Sequence, residues 1–233
     1  MGKPLRPIRA LTFDLDDTLW PVLPVIEHAE QTLQRWLAQH CPRVIERWDI
    51  EAIRSLRAQV AERRPDIAHD FSAQRVVTLR HVLSDCGSST RLVDRAFAVF
   101  FEARHQVDLY PDVHPTLNKL AERYPLAALT NGNANPHRIG LKMFAFCLHA
   151  RHYDPKPEAT LFDAARDRLA VDAEQLVHVG DHPEQDVMAA RSAGFQAIWV
   201  NRKGQSWCGD GEPPLSVQSL AEIPALLADS NSD

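Results

Sequence analysis

Several apolar, strand-like segments of this chain end in polar residues whose types could carry out chemistry. The first covers residues 10–16 and delivers Asp14 and Asp16, with Thr18 close behind them. Later segments deliver, in chain order, Thr130, Asn131, Gly132, Asp181 and Asp186, and Lys156 precedes a predicted helix between them. Because ligands of an open α/β sheet bind beyond the carboxyl ends of its strands, we expect these side chains to lie close together.

Carboxylates, a lysine ammonium and a threonine hydroxyl together suit phosphoryl transfer. A cluster of carboxylates is best stabilised by a hard cation such as Mg²⁺, which prefers oxygen ligands. The metal ion, a lysine and backbone amides can neutralise charge on the phosphoryl oxygens. A carboxylate in line with phosphorus can act as a nucleophile and form an aspartyl phosphate. The residue types therefore predict a magnesium-assisted reaction of a phosphate ester.

Strand and helix patterns alternate over residues 108–233. Strands are predicted at 126–130, near 147–151, at 175–180 and at 196–200, and helices at 114–124, 136–144, 157–169 and 186–193. The strand at 196–200 is the last clear one, and a loop is predicted over 201–214. With the first strand added, this alternation indicates βαβ units. The predicted fold class is α/β, a Rossmann-like parallel sheet with helices on both faces.

Residues 25–104 carry a helical pattern and no convincing strand. Their apolar residues recur at helical spacing in about four runs, with turn signals at Pro42, Pro65 and Gly87. This all-helical block interrupts the α/β pattern directly after the first strand. The predicted domains are a discontinuous α/β core, residues 1–20 and 108–233, and an inserted helical cap, residues 21–107.

The polar strand ends resemble the four motifs of the haloacid dehalogenase-like hydrolases. Asp14, Asp16 and Thr18 match that family's DxDxT motif. The other motifs are matched by Thr130 with Asn131 and Gly132, by Lys156, and by Gly180 and Asp181 with Asp186. The motifs follow the family's order, and the helical insert resembles its most common type of cap. The resemblance covers nearly the whole chain and implies a hydrolase.

The resemblance also implies a role for each matched residue. Asp14 would attack phosphorus, and Asp16 would protonate the leaving oxygen and later activate water. Thr130 and Lys156 would hold the phosphoryl group, and Lys156 would also hold the nucleophile. The predicted phosphate-binding set is completed by Thr18, Asn131 and Gly132.

Magnesium is the cofactor that the resemblance implies. Its ligands would be the Asp14 carboxylate, the main-chain carbonyl of Asp16 and the carboxylate of Asp181. Asp186 would be either a further ligand or a partner of a ligand, and the sequence leaves both open.

Asp16 favours a phosphatase within this family. Dehalogenases of the family lack a carboxylate two residues after the nucleophile, whereas an alkoxide leaving group benefits from a carboxylic acid. A sugar-phosphate phosphatase or a phosphomutase would carry the same second aspartate, so both stay open as alternatives. The expected reaction is hydrolysis of a small-molecule phosphomonoester through an aspartyl phosphate.

The chain resembles the bacterial flavin-pathway phosphatases, which act on 5-amino-6-(5-phospho-D-ribitylamino)uracil and on FMN. His69, Asp70 and Arg75 in the helical insert carry the part of this resemblance that is specific to the group. Arg75 is therefore a candidate for binding the anionic substrate. His182 is a departure, because an acidic or small polar residue is more usual after the metal-binding aspartate.

Composition narrows the partners of the protein. Its 233 residues are 45% hydrophobic and carry a net charge of −5, without the basic stripe of a nucleic-acid-binding protein. No apolar run approaches the roughly 20 residues of a membrane span, so we expect a cytoplasmic enzyme. The oligomeric state stays open. A receiver-type switch is disfavoured because such modules are much shorter and lack the helical insert; a catalytically silent binding protein on the same fold is a further alternative.

Overall fold

The computed structural model describes residues 5–229 of the chain. These residues form two compact units. The first combines the residues up to Pro21 with those from Asp108 onwards, and the second is Val22–Val107. We call them the sheet unit and the helical unit.

A parallel β-sheet forms the centre of the sheet unit. Within residues 5–229 its strands are β1 Ala10–Phe13, β2 Leu126–Thr130, β3 Phe144–His149, β4 Leu176–Gly180, β5 Gln196–Val200 and β6 Leu215–Val217. The strand order is β3-β2-β1-β4-β5-β6, and every neighbouring pair is parallel. Strands β1, β2 and β4 are buried at every position, as expected when helices cover both faces of a sheet. The predicted α/β fold class is confirmed.

The strand order places the end of β1 between the ends of β2 and β4. Phe13 pairs with Ala128 on one side and with Val179 on the other. The N–H of Asp14 extends this ladder by donating to the Val179 carbonyl at 2.9 Å. The strand order reverses at this point of the sheet, which is where open α/β sheets form a ligand-binding crevice.

The helical unit is built from α-helices around a core of its own. Within the described residues these are α1 Val22–His40, α2 Pro42–Arg47, α3 Ile50–Arg63, α4 Phe71–Asp85 and α5 Val93–Ala103. Aspartate caps start two of them, since Asp49 accepts from the N–H of Ala52 at 2.7 Å and Asp70 accepts from that of Ala73 at 2.9 Å. The core includes Leu33, Leu37, Leu79, Leu83 and Phe100.

The apolar periodicity indicates fewer helices than the helical unit contains, and α2 is the difference. Pro42 reads as a turn signal in the sequence, but it lies in the first turn of α2, where its missing N–H costs nothing. The helix buries only Val44, so it lacks the repeating apolar face by which a helix is recognised.

Along the chain, the helices of the sheet unit lie between its strands and after the last one. They are α6 Val113–Ala121, α7 Pro136–Ile139, α8 Thr160–Leu169, α9 Ala189–Ser192 and α10 Ile223–Asp229. A π-helical turn, Pro183–Met188, leads into α9. Between residues 5 and 229, none of the helices has both the length and the apolar character that crossing a membrane would require.

Several boundaries differ from the sequence prediction. The helix expected at 136–144 ends at Ile139, because Gly140 adopts a left-handed φ of 96° that stops it. Phe144 then opens β3 rather than closing a helix. The strand expected at 10–16 ends at Phe13, which leaves Asp14 in the loop beyond the sheet.

The strand at 196–200 is not the last one. β6, Leu215–Val217, adds an edge strand that pairs Val217 with Val200, and α10 follows it. β6 has three residues with the polar Ser216 at its centre. A segment of this length is too short to show the alternation of apolar and polar residues by which a strand is recognised.

An ion pair joins the loop after β1 to two other parts of the sheet unit. The guanidinium of Arg202 binds both carboxylate oxygens of Asp112, at 3.0 and 3.1 Å, and donates to the Thr18 carbonyl at 3.1 Å. It also lies over the ring of Tyr110, 3.9 Å from the ring centroid. Asp112 accepts further from the Ser219 hydroxyl at 2.6 Å. Arg202 therefore supports the DxDxT loop, and the sequence pattern does not reveal this role.

Asp112→Asn is expected to lower the free energy of unfolding by about 2–3 kcal/mol at neutral pH, because the largely buried Arg202 loses its counter-charge. Burial raises the pKa of Asp112, but hydrogen bonds from Arg202 and Ser219 outweigh it and the pKa is lowered. A depressed carboxyl pKa stabilises the fold above the unfolded value of about 3.9 and loses that effect as pH falls through the folded value.

Urea denaturation from neutral pH down to acid pH measures this difference. The difference in the free energy of unfolding between wild type and Asp112→Asn should be constant above about pH 5 and should disappear as the pH drops below about 4. The exposed Asp210→Asn is the matched control and should stay within about 0.5 kcal/mol of wild type. A gap that widens in acid would contradict the assignment.

Candidate active site

Asp14 lies at the end of β1 and is 8% exposed. Its Oδ1 accepts from Lys156 Nζ at 2.7 Å, and the Thr18 hydroxyl lies 3.4 Å from its Oδ2. The same hydroxyl donates to Asp181 Oδ1 at 3.0 Å. Thr18, itself fully buried, therefore links the first predicted motif to the last.

The loop after β1 is closed by its own backbone. Leu19 N–H donates to the Leu15 carbonyl at 2.8 Å, and Asp17 N–H donates to that of Trp20 at 2.7 Å. Asp17 takes a left-handed φ of 59°, a conformation that aspartate tolerates better than most residues. Asp16 is half-buried, and its carboxylate accepts from Trp20 Nε1 at 2.9 Å.

The end of β2 brings three predicted residues to the same sheet edge. The Thr130 hydroxyl accepts from the N–H of Gly132 at 2.9 Å, which folds the chain back directly after the strand. The Asn131 side chain accepts from Lys156 N–H at 2.8 Å and donates to the Lys156 carbonyl at 2.9 Å. It also donates to Gln185 Oε1 at 3.1 Å. Asn131 thus holds the backbone of the lysine, a contact that its sequence motif does not reveal.

Lys156 is almost completely buried beside two carboxylates. Its Nζ donates to Asp14 Oδ1 at 2.7 Å, to Asp186 Oδ1 at 2.5 Å and to the Leu129 carbonyl at 3.2 Å. Burial lowers the pKa of Lys156, but Asp14 and Asp186 outweigh burial, and the pKa is raised above its ordinary value. The lysine is therefore a cation at neutral pH.

The end of β4 supplies Asp181 and, through the π-helical turn, Asp186. In this wide turn, the His182 carbonyl accepts hydrogen bonds from the N–H of Asp186 at 3.0 Å and from the N–H of Val187 at 3.3 Å. Asp186 Oδ2 accepts in return from His182 N–H at 2.9 Å. A Cβ on Gly180 would lie 2.4 Å from Asp186 Cγ, so only glycine leaves room for this carboxylate.

Asp14, Asp181 and Asp186 form an acidic cluster in which one ligand atom from each lies within 4.8 Å of the others. Burial raises the pKa of Asp14 well above its ordinary value, and only Lys156 opposes the rise. Burial, with Asp186 next, raises the pKa of Asp181 to about 7. When all three are ionised, these carboxylates carry more negative charge than one lysine offsets, and their oxygens are the donors that Mg²⁺ prefers, so the cluster fits a hard divalent cation.

Asp186 differs from the other two carboxylates. Burial raises its pKa, but Lys156 and the hydrogen bond from His178 outweigh burial, and the pKa is lowered. Both of its oxygens already accept hydrogen bonds, Oδ1 from Lys156 and His178 and Oδ2 from His182 N–H. Asp186 is therefore satisfied by protein donors to a greater extent than Asp14 and Asp181.

Two supports of this cluster were not assigned a role from the sequence. His178, a predicted core residue, is fully buried, with Nδ1 2.9 Å from the Thr12 hydroxyl and Nε2 3.3 Å from Asp186 Oδ1. A neutral His178 ring satisfies both contacts, because Nδ1 accepts from the Thr12 hydroxyl and the Nε2–H donates to Asp186. Trp199 Nε1 donates to the Asp181 carbonyl at 2.7 Å. Apolar patterns show that such residues are buried, but they do not reveal which polar atom they hold.

Arg75 lies in the helical unit and is 5% exposed. Its guanidinium lies over the ring of Phe100, 3.5 Å from the centroid, and 3.5 Å from Glu30 Oε1. Burial, followed by the charge of Arg57, lowers the pKa of Arg75 to about 10.

His182 follows Asp181, where an acidic or small polar residue is more usual. Its ring nitrogen Nδ1 accepts hydrogen bonds from the N–H groups of Glu184 and Gln185 in the turn that follows, which explains how a histidine is accommodated there.

Comparison with known proteins assigns the family. The family model described as haloacid dehalogenase-like hydrolase matches residues 8–194. The chain is 34% identical to the 5-amino-6-(5-phospho-D-ribitylamino)uracil phosphatase YigB of Escherichia coli, over 97% of this chain and 98% of that protein. It is also 31% identical to the phosphoserine phosphatase of Thermus thermophilus, over 62% of this chain and 61% of that protein.

A solved structure agrees along most of the chain. The 2-haloacid dehalogenase from Pseudomonas syringae pv. tomato DC3000 superposes with a TM-score of 0.90 at 40% identity, covering 95% of this chain and 99% of that one. The phosphatase relatives and the carboxylate of Asp16 identify this chain as a phosphoric monoester hydrolase. The predicted resemblance is confirmed: the chain belongs to the haloacid dehalogenase-like hydrolases.

Proposed function

We propose that this protein is a Mg²⁺-dependent phosphatase of small-molecule phosphomonoesters that works through a phosphorylated Asp14. The observation that carries the proposal is the convergence of Asp14, Lys156 and Asp181 at one sheet edge. The strand order supports it, because Asp14 stands at the point where open α/β sheets bind ligands.

In the first step, a carboxylate oxygen of Asp14 attacks phosphorus and the bond from phosphorus to the leaving oxygen breaks. Asp16 gives its proton to that oxygen, which departs as an alcohol. Lys156 holds Asp14 by the 2.7 Å hydrogen bond and places a positive charge beside the incoming phosphoryl group. Thr130, Asn131 and Gly132 line the turn that would bind the phosphoryl oxygens, with Thr18 supporting the nucleophile.

In the second step, water hydrolyses the aspartyl phosphate. Asp16, now ionised, takes a proton from the water as its oxygen attacks phosphorus. Phosphate leaves, and the cycle ends with Asp14 ionised and Asp16 protonated, as it began.

Magnesium would be held by the carboxylates of Asp14 and Asp181 and by the main-chain carbonyl of Asp16. When bound, it supplies positive charge that screens phosphate and nucleophile from each other. We propose that Asp186 chiefly holds Lys156 in place and is not primarily a metal ligand, because its oxygens already accept from Lys156, His178 and His182.

We further propose residues 21–107 as a cap that selects the substrate, with residues 1–20 and 108–233 as the catalytic core. Arg75 is the candidate anion-binding residue of this cap. Its 3.5 Å distance to Glu30 is long for a charge-assisted hydrogen bond, so Glu30 alone does not satisfy the guanidinium. The candidate substrates are 5-amino-6-(5-phospho-D-ribitylamino)uracil and FMN, supported by the likeness to the Escherichia coli enzyme.

Phosphate release from purified wild type tests the proposal. The panel contains both flavin-pathway phosphates, several sugar phosphates and p-nitrophenyl phosphate, each with Mg²⁺ or with EDTA. We expect turnover that EDTA abolishes and added Mg²⁺ restores, because the acidic cluster needs a counter-charge. The preferred phosphate identifies the substrate class.

Dehalogenation is the second candidate, since the 40% identical structure is described as a dehalogenase. The same preparation is therefore given 2-chloropropionate and assayed for chloride. Chloride release without phosphate release would overturn the phosphatase proposal. Asp16 argues for phosphate, because displacement of a halide needs no proton donor.

A further inference from the structure

The carboxylate of Asp16 is held by an indole. Trp20 Nε1 donates to Asp16 Oδ1 at 2.9 Å, and Trp20 is fully buried whereas Asp16 is half-buried. The backbone fixes the same pair, since Asp16 and Trp20 form a β-bridge and Trp20 accepts from the N–H of Asp17 at 2.7 Å. The buried indole is therefore a fixed hydrogen-bond donor, whereas the half-buried Asp16 side chain that it binds is less constrained by packing.

An acid catalyst has to present its proton to the leaving oxygen in a narrow range of orientations. The last torsion of an aspartate has broad minima, so a carboxylate on a loop does not hold one orientation by itself. A buried donor that binds one carboxylate oxygen removes much of this freedom before the substrate arrives. Trp20 lies outside the DxDxT motif and the family roles given above do not include it.

We propose that Trp20 is a positioning residue that orients Asp16 for proton transfer to the leaving oxygen. The inference rests on the proposed function, in which Asp16 is the acid. It predicts a dependence on the leaving group. An alkyl phosphate releases an alkoxide that has to be protonated, whereas p-nitrophenyl phosphate releases a stabilised phenolate that does not.

The experiment compares wild type, Trp20→Phe and Asp16→Asn on two substrates, p-nitrophenyl phosphate and the best alkyl phosphate of the panel. The measured quantity is kcat/KM, because it reports the steps up to departure of the leaving group and excludes hydrolysis of the aspartyl phosphate. We expect Trp20→Phe to lower kcat/KM about 10-fold on the alkyl phosphate, part of the 10²–10⁴-fold that an acid contributes, and at most about twofold on p-nitrophenyl phosphate.

Each other outcome has a distinct meaning. Equal losses of kcat/KM on both substrates would show that Trp20 only supports the loop, and no loss on either would show that the indole is dispensable; both overturn the inference. Asp16→Asn separates these from a failure of the proposed function. If Asp16→Asn loses no more on the alkyl phosphate than on p-nitrophenyl phosphate, Asp16 is not the acid, whatever Trp20 does.

A buried tryptophan can be needed for folding, so a second substitution removes the N–H alone. β-(3-Benzothienyl)alanine, introduced at position 20 by stop-codon suppression, keeps the shape of the indole and places sulfur where the N–H was. It should reproduce the selective loss of Trp20→Phe. Trp36→Phe, in the helical unit, is the control for replacing an indole and should leave both substrates unaffected.

Discussion

Asp14→Asn is expected to lower kcat on every phosphate by about four orders of magnitude or more, the scale seen when an enzyme loses its nucleophile. A carboxamide is a poor nucleophile and carries no charge for a cation to bind. Stopped phosphate-release assays at saturating Mg²⁺ measure the loss. Asp17→Asn is a matched control, because it makes the same change in the same loop at a left-handed φ of 59°, which asparagine adopts readily.

The fold should survive this substitution. Asp14 shares its site with Asp181 and Asp186, and Asp186 stays as a partner for Lys156 when Asp14 is neutral. The thermal midpoint of Asp14→Asn in EDTA should therefore equal or exceed that of wild type. A variant that is folded and keeps more than about one hundredth of wild-type activity, with deamidation excluded by mass spectrometry, would remove Asp14 from the mechanism.

Lys156→Met is expected to lower the free energy of unfolding by about 3–5 kcal/mol and to abolish activity. The change leaves Asp14 and Asp186 buried without the cation that lies 2.7 and 2.5 Å from them, and removing one partner of a buried ion pair is costly. Urea denaturation followed by circular dichroism in EDTA measures the stability. Lys203→Met, at an exposed lysine, should change the free energy of unfolding by less than about 0.5 kcal/mol.

A double variant tests whether charge is the cause. Lys156→Met with Asp186→Asn removes one of the two carboxylates left unpaired, so it should recover about half of the lost stability and none of the activity. If the double variant is no more stable than Lys156→Met, the loss comes from packing of the lysine stem and not from the ion pairs. Asp186→Asn alone completes the thermodynamic cycle.

The sheet could be predicted from the sequence where strands are buried on both faces. The predicted bounds of β2 and β5 match the structure, because such strands read as continuous apolar runs. The sequence predicts β3 three residues late, because the buried Phe144 also fits the tail of the preceding helix and the exposed Ala145 interrupts the apolar run. β6 has too few residues for a period, and its place depends on pairing with β5, which no local pattern encodes.

The candidate site could be predicted as a set of residues but not as a network. Strand ends locate Asp14, Thr130 and Asp181, because topology alone brings them together. The contacts that hold them come from residues far along the chain, such as Trp199 on the Asp181 carbonyl and Asn131 on the Lys156 backbone. Such hydrogen bonds depend on three-dimensional positions that residue type and spacing do not specify.

The central place of β1 has a consequence for how the protein is made. Of the six strands of this sheet, β1 leaves the ribosome first, but both of its sheet neighbours are encoded much later, β2 from Leu126 and β4 from Leu176. At about 5–20 residues per second, the wait for β2 alone is about 6–23 seconds. The helical unit emerges during that wait and can fold from contacts between its own helices, whereas β1 exposes an apolar, unpaired strand. We therefore expect the nascent chain to bind holding chaperones through residues 8–15 until Gly180 has left the exit tunnel.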